Sequence, residues 1–370
     1  MKLRDFELEV FFEQYEFSAP YLLTQSDCET LSIKALLKME EDSEKAFLNQ
    51  RLGYTEVTGS PELKEQIENL FKNHERKDVI VHTGAQEAIF NFLNMFLEPG
   101  DHVITQFPVY QSLYSVAEDI GCSVDKWEIE QTETDWMMDL VALERLIKPE
   151  TKLLCINNPN NPTGFIFSES EMKRIVEIAQ KHGIFVFCDE VYKGLELDGI
   201  KRPWFADLTD NALSLGVMSK AYGLPGLRIG WIVTGNKDVL DKMRKMKHFT
   251  SICNSAPSEF LATIALKNGE AILDKNLERI KKNLKIADRF FEKYQHLFRY
   301  NRQQASPIAF HEMKINSPID AFCHQLVKDS GVSLLPGTVY DYPGAYFRMG
   351  YGRANFEANL RHFENYLENA

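Results

Sequence analysis

The sequence predicts an α/β fold: a mostly parallel sheet with helices on both faces, joined to a smaller α+β domain. Three observations carry this. Short apolar runs alternate with amphipathic stretches through the middle of the chain, the pattern of strands buried on both faces by crossover helices. At 370 residues the chain is longer than most single cores and suits one large domain with a smaller companion. Beyond about residue 255 the alternation gives way to helical sequence, then short strand-like pieces and a closing helix near 355–367. The expected division is a large domain over residues 40–285 and a small one formed by 1–39 with 286–370.

Buried strands are expected at Val79–His82, His102–Gln106, Lys152–Asn157, Ile184–Asp189, Leu213–Ser219 and Arg228–Thr234. Each is a short apolar run. Ser60-Pro61 opens a helix, with proline at the first helical position. Ile89, Phe92, Leu93, Phe96 and Leu97 share one face of the next, following the i, i+3, i+4 rule. Ser168 and Glu171 form a capping box ahead of Ile175, Val176 and Ile178, and Gly183 closes that helix. In such sheets ligands bind beyond the carboxyl ends of the strands. Asn161, Asp189, Ser219 and Lys220 fall at or just past those ends.

A hydrophobic share of 44% and a charged share of 26% are ordinary for a soluble globular chain. The 54 acidic residues outweigh 42 basic ones, which argues against a nucleic-acid partner. A small anionic substrate stays possible, since one buried arginine can recruit it. Cys28, Cys122, Cys155, Cys188, Cys253 and Cys323 are scattered and form no metal-ligating pair. Cys155 and Cys188 sit in apolar runs and read as reduced, buried thiols. The segment Met1–Glu9 carries acids where a signal peptide needs an apolar run. No stretch reaches the roughly 18 apolar residues of a membrane span. A reducing cytoplasm is the expected compartment, with no membrane partner.

Lys220 stands in Ser219-Lys220-Ala221-Tyr222-Gly223-Leu224-Pro225-Gly226-Leu227-Arg228-Ile229-Gly230. A lysine amine forms a Schiff base with an aldehyde cofactor once it is partly desolvated, and Leu213–Met218 supplies an apolar wall. Alone, a Ser-Lys pair is as well explained as solvated surface. Asp189 and Tyr192 lie upstream in Phe187-Cys188-Asp189-Glu190-Val191-Tyr192, and Asn161 in Asn157-Asn158-Pro159-Asn160-Asn161-Pro162-Thr163-Gly164. Taken singly, Asp189 is a turn former at a strand end and Asn161 a common Asx-Pro turn. Thr83-Gly84-Ala85-Gln86-Glu87 joins a strand to a helix. Such a turn presents free N–H groups and the positive end of the helix dipole to an anion.

In that order and at those separations the set resembles the class I/II aminotransferase family of fold-type-I pyridoxal-phosphate-dependent enzymes. The likeness runs from about Gly53 to the C-terminus. Tyr110-Gln111-Ser112-Leu113 and the N-terminal segment are also similar to capreomycidine-synthase-like members. The resemblance implies pyridoxal 5'-phosphate as cofactor, held by Lys220 as a Schiff base, with the freed lysine then acting as base at the substrate Cα. It implies that Asp189 pairs with the pyridine nitrogen and that Tyr192 and Asn161 hydrogen-bond the phenolic oxygen. Tyr110, in Phe107-Pro108-Val109-Tyr110, would stack on the ring. Gly84, Ala85, Gln86, Ser219 and Arg228 would hold the phosphate. Tyr54, in Leu52-Gly53-Tyr54-Thr55, would reach the phosphate of the neighbouring subunit in a homodimer. Arg348, in Tyr346-Phe347-Arg348-Met349-Gly350, would grip the substrate α-carboxylate with Asn161, with Arg353 a nearby competitor.

The activity implied is transfer of an amino group between an amino acid and a 2-oxo acid. A pyridoxal-phosphate-dependent β-elimination or replacement, as in a lyase or cyclase, shares the first steps and differs in needing no amino acceptor. A cofactor-binding regulator is the rival of another class; the acidic balance and the retained Lys220 oppose it. Two departures from the family stand out. Val217 occupies a position where members often carry serine or threonine, and Tyr21–Cys28 replaces a glycine-rich segment that closes over the substrate. A dicarboxylate substrate would need a second cation, for which Arg51, Arg202 and Arg302 are available. The basic stretches Lys242–Lys247 and Arg279–Lys282 read as solvated helix faces.

Overall fold

The apolar runs become one large sheet, seen in a computed structural model that describes residues 3–133 and 135–369. Met1 and Lys2 of the acidic N-terminus lie outside the described residues. The strands are β1 (Val79–His82), β2 (His102–Phe107), β3 (Ser123–Gln131), β4 (Trp136–Met138), β5 (Thr151–Asn157), β6 (Phe185–Asp189), β7 (Ala212–Val217) and β8 (Gly230–Val233). Their spatial order is β1-β8-β7-β6-β5-β2-β3-β4. The central pairs β3/β2, β2/β5, β5/β6 and β6/β7 are parallel. β8 runs antiparallel between β1 and β7, and β4 is an antiparallel edge. Every expected strand is therefore present. β3 and β4 were not anticipated, because half of β3 is polar or exposed and its alternation is weak.

Alternate residues of the central strands enter different apolar layers. Leu153, Cys155, Phe185 and Phe187 pack with the helix α2 (Gly84–Phe96) through Phe92 and Leu93. Leu154, Ile156, Val186 and Cys188 pack on the other face, against the helix Glu169–His182 through Met172, Ile175 and Val176. Covering both faces is what makes these strands continuously apolar. The predicted capping box of Ser168 and Glu171 forms, and Gly183 ends that helix in the left-handed conformation. Pro61 occupies the first position of the helix Pro61–Glu68.

The C-terminal third begins with the helices Ala256–Lys267 and Gly269–Lys293. A four-stranded antiparallel sheet follows, and the helix Phe356–Asn369 packs with it. In that sheet Tyr346–Gly350 lies between Ile308–Met313 and Leu335–Pro336. The N-terminal segment is built into this region rather than draped over it. Tyr21–Leu22 pairs parallel to Val332–Ser333, and Gly350 donates its N–H to Leu23 O at 2.8 Å. Close approach demands glycine here: a Cβ on Gly350 would stand 1.9 Å from Gln25 O. The helix α1 (Glu7–Tyr15) then buries Leu8 and Phe11 against the large sheet's cluster.

One basic stretch departs from its expected solvated face. Lys247 is fully buried. Its Nζ donates to Ser251 Oγ at 2.6 Å and Asn254 Oδ1 at 3.0 Å, and lies 3.6 Å from Glu87 Oε2. A buried ammonium is tolerable only when it is paired and hydrogen-bonded, and Glu87 on a distant helix is a partner that local spacing does not reveal. Lys242, Arg244 and Lys245 are not buried, in keeping with the expectation.

Candidate active site

β5, β6 and β7 deliver their carboxyl ends to one cleft of about 530 Å³. Asn157, Asp189 and Val217 are the last residues of these strands, and all three line it. Asn161, Tyr192, Ser219, Lys220, Ala85, Gln86, Tyr110, Arg228, Arg348 and Arg353 line it as well. Almost the whole predicted set is thus brought together. Tyr54 is not: it stands 94% exposed, away from this cleft.

Lys220 Nζ donates to Ser26 Oγ at 2.8 Å. Burial, and then the nearby Arg348 charge, pull its pKa below the ordinary lysine value against the opposing pull of Asp27. Desolvation penalises an ammonium, so the free amine is favoured. Asp189 is the other extreme. It is buried, its Oδ1 accepts only from Val191 N at 3.2 Å, and burial pushes its pKa up to about 7. A buried carboxyl without a cationic partner costs stability unless a cationic ligand arrives. Tyr192 is also buried, and its hydroxyl has no hydrogen bond of good geometry, although Ser26 lies near enough to affect its pKa.

Asn161 is oriented by its own loop and by the small domain. Its backbone N–H donates to Asn157 Oδ1 at 2.6 Å. Its Oδ1 accepts from Tyr340 Oη at 2.8 Å and Arg348 Nη1 at 3.1 Å, which turns the Nδ2 donors elsewhere. Arg348 is fully buried, and also donates to Tyr340 Oη at 2.5 Å and Thr24 O at 2.6 Å. Its Nε has no partner. All of these partners are neutral, and among the described residues no carboxylate forms an ion pair with the guanidinium. Arg353, by contrast, is paired with Asp27 at 2.8 Å.

At the other end, α2 points its N-terminus into the cleft at Ala85 and Gln86. Glu87 pins the turn by accepting from Thr83 N at 2.6 Å, and Thr250 Oγ1 holds the same carboxylate at 2.6 Å. Arg228, in a left-handed conformation, is exposed and donates to Ser219 Oγ at 3.4 Å. Gly84 has φ +78°, and a Cβ there would lie 2.5 Å from Arg228 Nη2. Gly84→Ala is therefore expected to displace Arg228 and strain the turn, weakening affinity for a phosphate-bearing ligand by about tenfold. Titration of the apoprotein would measure this. Gly226→Ala, with no atom within 4 Å of its added Cβ, is the control.

Several lining residues escaped the sequence reading: Ser26, Asp27, Glu9, Phe12, Glu16 and Phe17. Tyr110 Oη donates to Glu9 Oε1 at 2.9 Å, and its ring lies 4.9 Å from that of Phe6. The signal was the departure of Tyr21–Cys28 from a glycine-rich segment, which marks this stretch as a differently built wall. Nothing local in the helix that carries Glu9 and Glu16 announces where it docks. Among the described residues no cluster of His, Cys, Asp and Glu suits a metal ion, and no helix is long and apolar enough to cross a membrane.

The donor set suits pyridoxal phosphate. A buried lysine amine, a buried unpaired carboxyl, a buried phenol and a helix N-terminus beside an arginine meet the aldehyde, pyridine nitrogen, phenolic oxygen and phosphate of that molecule in kind. The family described as aminotransferase class I and II matches residues 21–365. That match starts upstream of Gly53, so the likeness takes in the unusual N-terminal segment. A pyridoxal-phosphate-dependent aminotransferase from Streptococcus suis is 32% identical, with a TM-score of 0.93 over 100% of this chain and 99% of its own. A probable aspartate/prephenate aminotransferase of Rickettsia bellii is 29% identical, the match covering 85% of this chain and 83% of that protein. The pyridoxal-phosphate-dependent cyclase OrfR is 21% identical with a TM-score of 0.92 over 100% of this chain and 98% of its own, a likeness of fold.

Proposed function

The chain belongs to the aminotransferase class I and II family, a pyridoxal-phosphate-dependent aminotransferase, and from that premise we propose that Lys220 is its catalytic lysine. The observation that carries this is the convergence of Lys220, Asp189, Tyr192 and Asn161 on one cleft at the ends of β5, β6 and β7. When bound, the cofactor supplies an electron sink for the carbon it activates. The residues that would hold it are Lys220 at the aldehyde, Asp189 at the pyridine nitrogen and Tyr192 with Asn161 Nδ2 at the phenolic oxygen. Tyr110 would cover the ring, and Ala85, Gln86, Ser219 and Arg228 would hold the phosphate.

Arg348 binds the substrate α-carboxylate with a guanidinium that no carboxylate pairs with among the described residues, and with its orphaned Nε. Asn161 and Tyr340 fix its plane, so the carboxylate is held in one orientation and the Cα–H bond with it. Lys220, whose ammonium form burial disfavours, takes the Cα proton and later returns a proton. Ser26 Oγ accepts one N–H of that amine and orients its lone pair. α1 and the segment Leu23–Glu29 exclude water from the reacting side.

A homodimer completes this reading. Tyr54, Leu52, Leu48 and Phe249 are at least 75% exposed, an apolar set suited to a partner surface, from which Tyr54 would reach the neighbouring cleft. The unpaired, mostly buried cysteines support a reducing cytoplasmic setting.

The test is the absorbance of the loaded protein as single amino acids are added without any keto acid. Conversion that stops at one equivalent and is reversed by a 2-oxo acid is the expected result. Continuous turnover with release of ammonia or a cyclised product, and no need for an acceptor, would make elimination or replacement the chemistry instead.

A further inference from the structure

We infer that the amino-acid substrate bears a second, cationic group on its side chain, seated against the carboxylates of Glu9 and Glu16 beneath the N-terminal helix. This rests on the reading of the cleft as an aminotransferase site and adds the substrate class to it.

Glu9, Phe12 and Glu16 recur at i, i+3 and i+7 along α1 and its C-cap, and all three line the cleft. The helix is fixed there. Arg4 pairs with Asp341 at 2.5 Å, Glu7 N donates to Gln111 Oε1 at 3.0 Å, and Gln111 Nε2 donates to Asp5 O at 2.8 Å. Neither carboxylate is neutralised. The Glu9 carboxylate accepts only the hydroxyl of Tyr110, and the Glu16 carboxylate has no hydrogen bond or ion pair among the described residues. Burial first, and then Asp27 and Glu9, raise the pKa of Glu16, against a smaller opposing pull from Lys220 and Arg353. A bound cation would relieve both effects.

The cations of the cleft are distributed in the opposite sense. Arg353 is spent on Asp27, and Arg228 stands beside Ser219 at the phosphate end. Arg348 alone is buried with neutral partners, and its fully buried Nε, lacking any acceptor, is a donor left for a ligand. The residues of one subunit therefore accommodate one carboxylate, not two. Arg202 and Arg302, two further cations a dicarboxylate would need, do not line the cleft; Arg202 is held by Asp198 at 2.8 Å, and Arg302 lies 3.4 Å from Asp288. An acidic side chain would instead face Glu9 and Glu16. Phe12 offers an apolar surface for intervening methylenes.

The experiment compares L-lysine, L-ornithine and L-arginine with L-norleucine and L-glutamate in the single-turnover reaction of the holoenzyme. A charge-assisted contact predicts that the best cationic amino acid exceeds norleucine by about tenfold or more in rate constant over apparent dissociation constant, and glutamate by a larger factor. In Glu16→Gln the ratio of lysine to norleucine should fall about tenfold, mainly through the apparent dissociation constant. The Glu16 carboxylate makes no hydrogen bond or ion pair among the described residues, so this variant should keep its melting temperature. Calorimetric binding of the same five amino acids to cofactor-loaded Lys220→Ala protein reads the charge preference even if no group is transferred. A preference for norleucine or glutamate, or ratios unmoved in Glu16→Gln, overturns the inference while leaving transamination intact. Cationic amino acids that react without needing an acceptor sustain it and overturn transamination.

Discussion

Lys220→Ala is expected to lower turnover by at least about 10⁴-fold, because on the proposed reading it removes both the attachment point of the cofactor and the base at Cα. The apoprotein should fold normally. The side chain makes one hydrogen bond, to Ser26 Oγ, and its amine is already destabilised by burial. Truncation therefore removes a costly buried polar group rather than a structural tie, and the melting temperature of the apo form should hold or rise slightly. The variant should still bind the cofactor non-covalently, since Asp189, Asn161 and Arg228 remain. Steady-state turnover, the visible spectrum and a melting curve check the three statements together. Partial recovery of rate with added methylamine would separate the base from the tether, because a small amine can enter the vacated space. A variant retaining more than about one per cent of turnover would place the chemistry elsewhere.

What the sequence made legible follows from how local each signal is. The strands β1, β2, β5, β6, β7 and β8 are buried on both faces, so their apolar runs mark them directly, and the residues at their carboxyl ends inherit a position from that alone. Lys220, Asp189 and Asn161 were singled out this way as well as by family likeness, and they line one cleft. The misses have a common physical cause. Lys247 is buried because Glu87 meets it from α2, and Glu9 and Glu16 enter the cleft because α1 docks beside the turn at Gly337–Tyr340 and is tied to Tyr110 and Gln111. Such placements depend on contacts between residues far apart in sequence, and spacing within one segment is blind to them. Tyr340 is an intermediate case. It stands eight residues before Arg348 in the sequence, but only the folded sheet brings its hydroxyl to Asn161 and Arg348.

Asp189→Asn should produce two opposite effects that share one cause. Activity should fall by about 10³-fold or more, because a neutral amide cannot hold a protonated pyridine nitrogen and the electron sink is weakened. The apoprotein, in contrast, should become more stable at neutral and alkaline pH. In the folded apo form burial raises the Asp189 pKa to about 7, well above the value of an exposed aspartate. Below about pH 4 both folded and unfolded states carry the proton and the residue is neutral towards stability. Between about pH 4 and pH 7 the unfolded state releases its proton while the folded state keeps it, so stability falls as pH rises. Above that window the penalty is complete, at most about 4 kcal/mol. Asparagine does not titrate, so wild type and variant should converge near pH 4 and diverge progressively towards pH 8. Loading the wild type with cofactor should erase the divergence, since a cation beside Asp189 stabilises the charged carboxylate that burial penalises. Melting temperatures of both apoproteins across this range decide the matter. A difference between them that does not change with pH would mean that Asp189 is already ionised in the fold, and that it does not await a cationic partner.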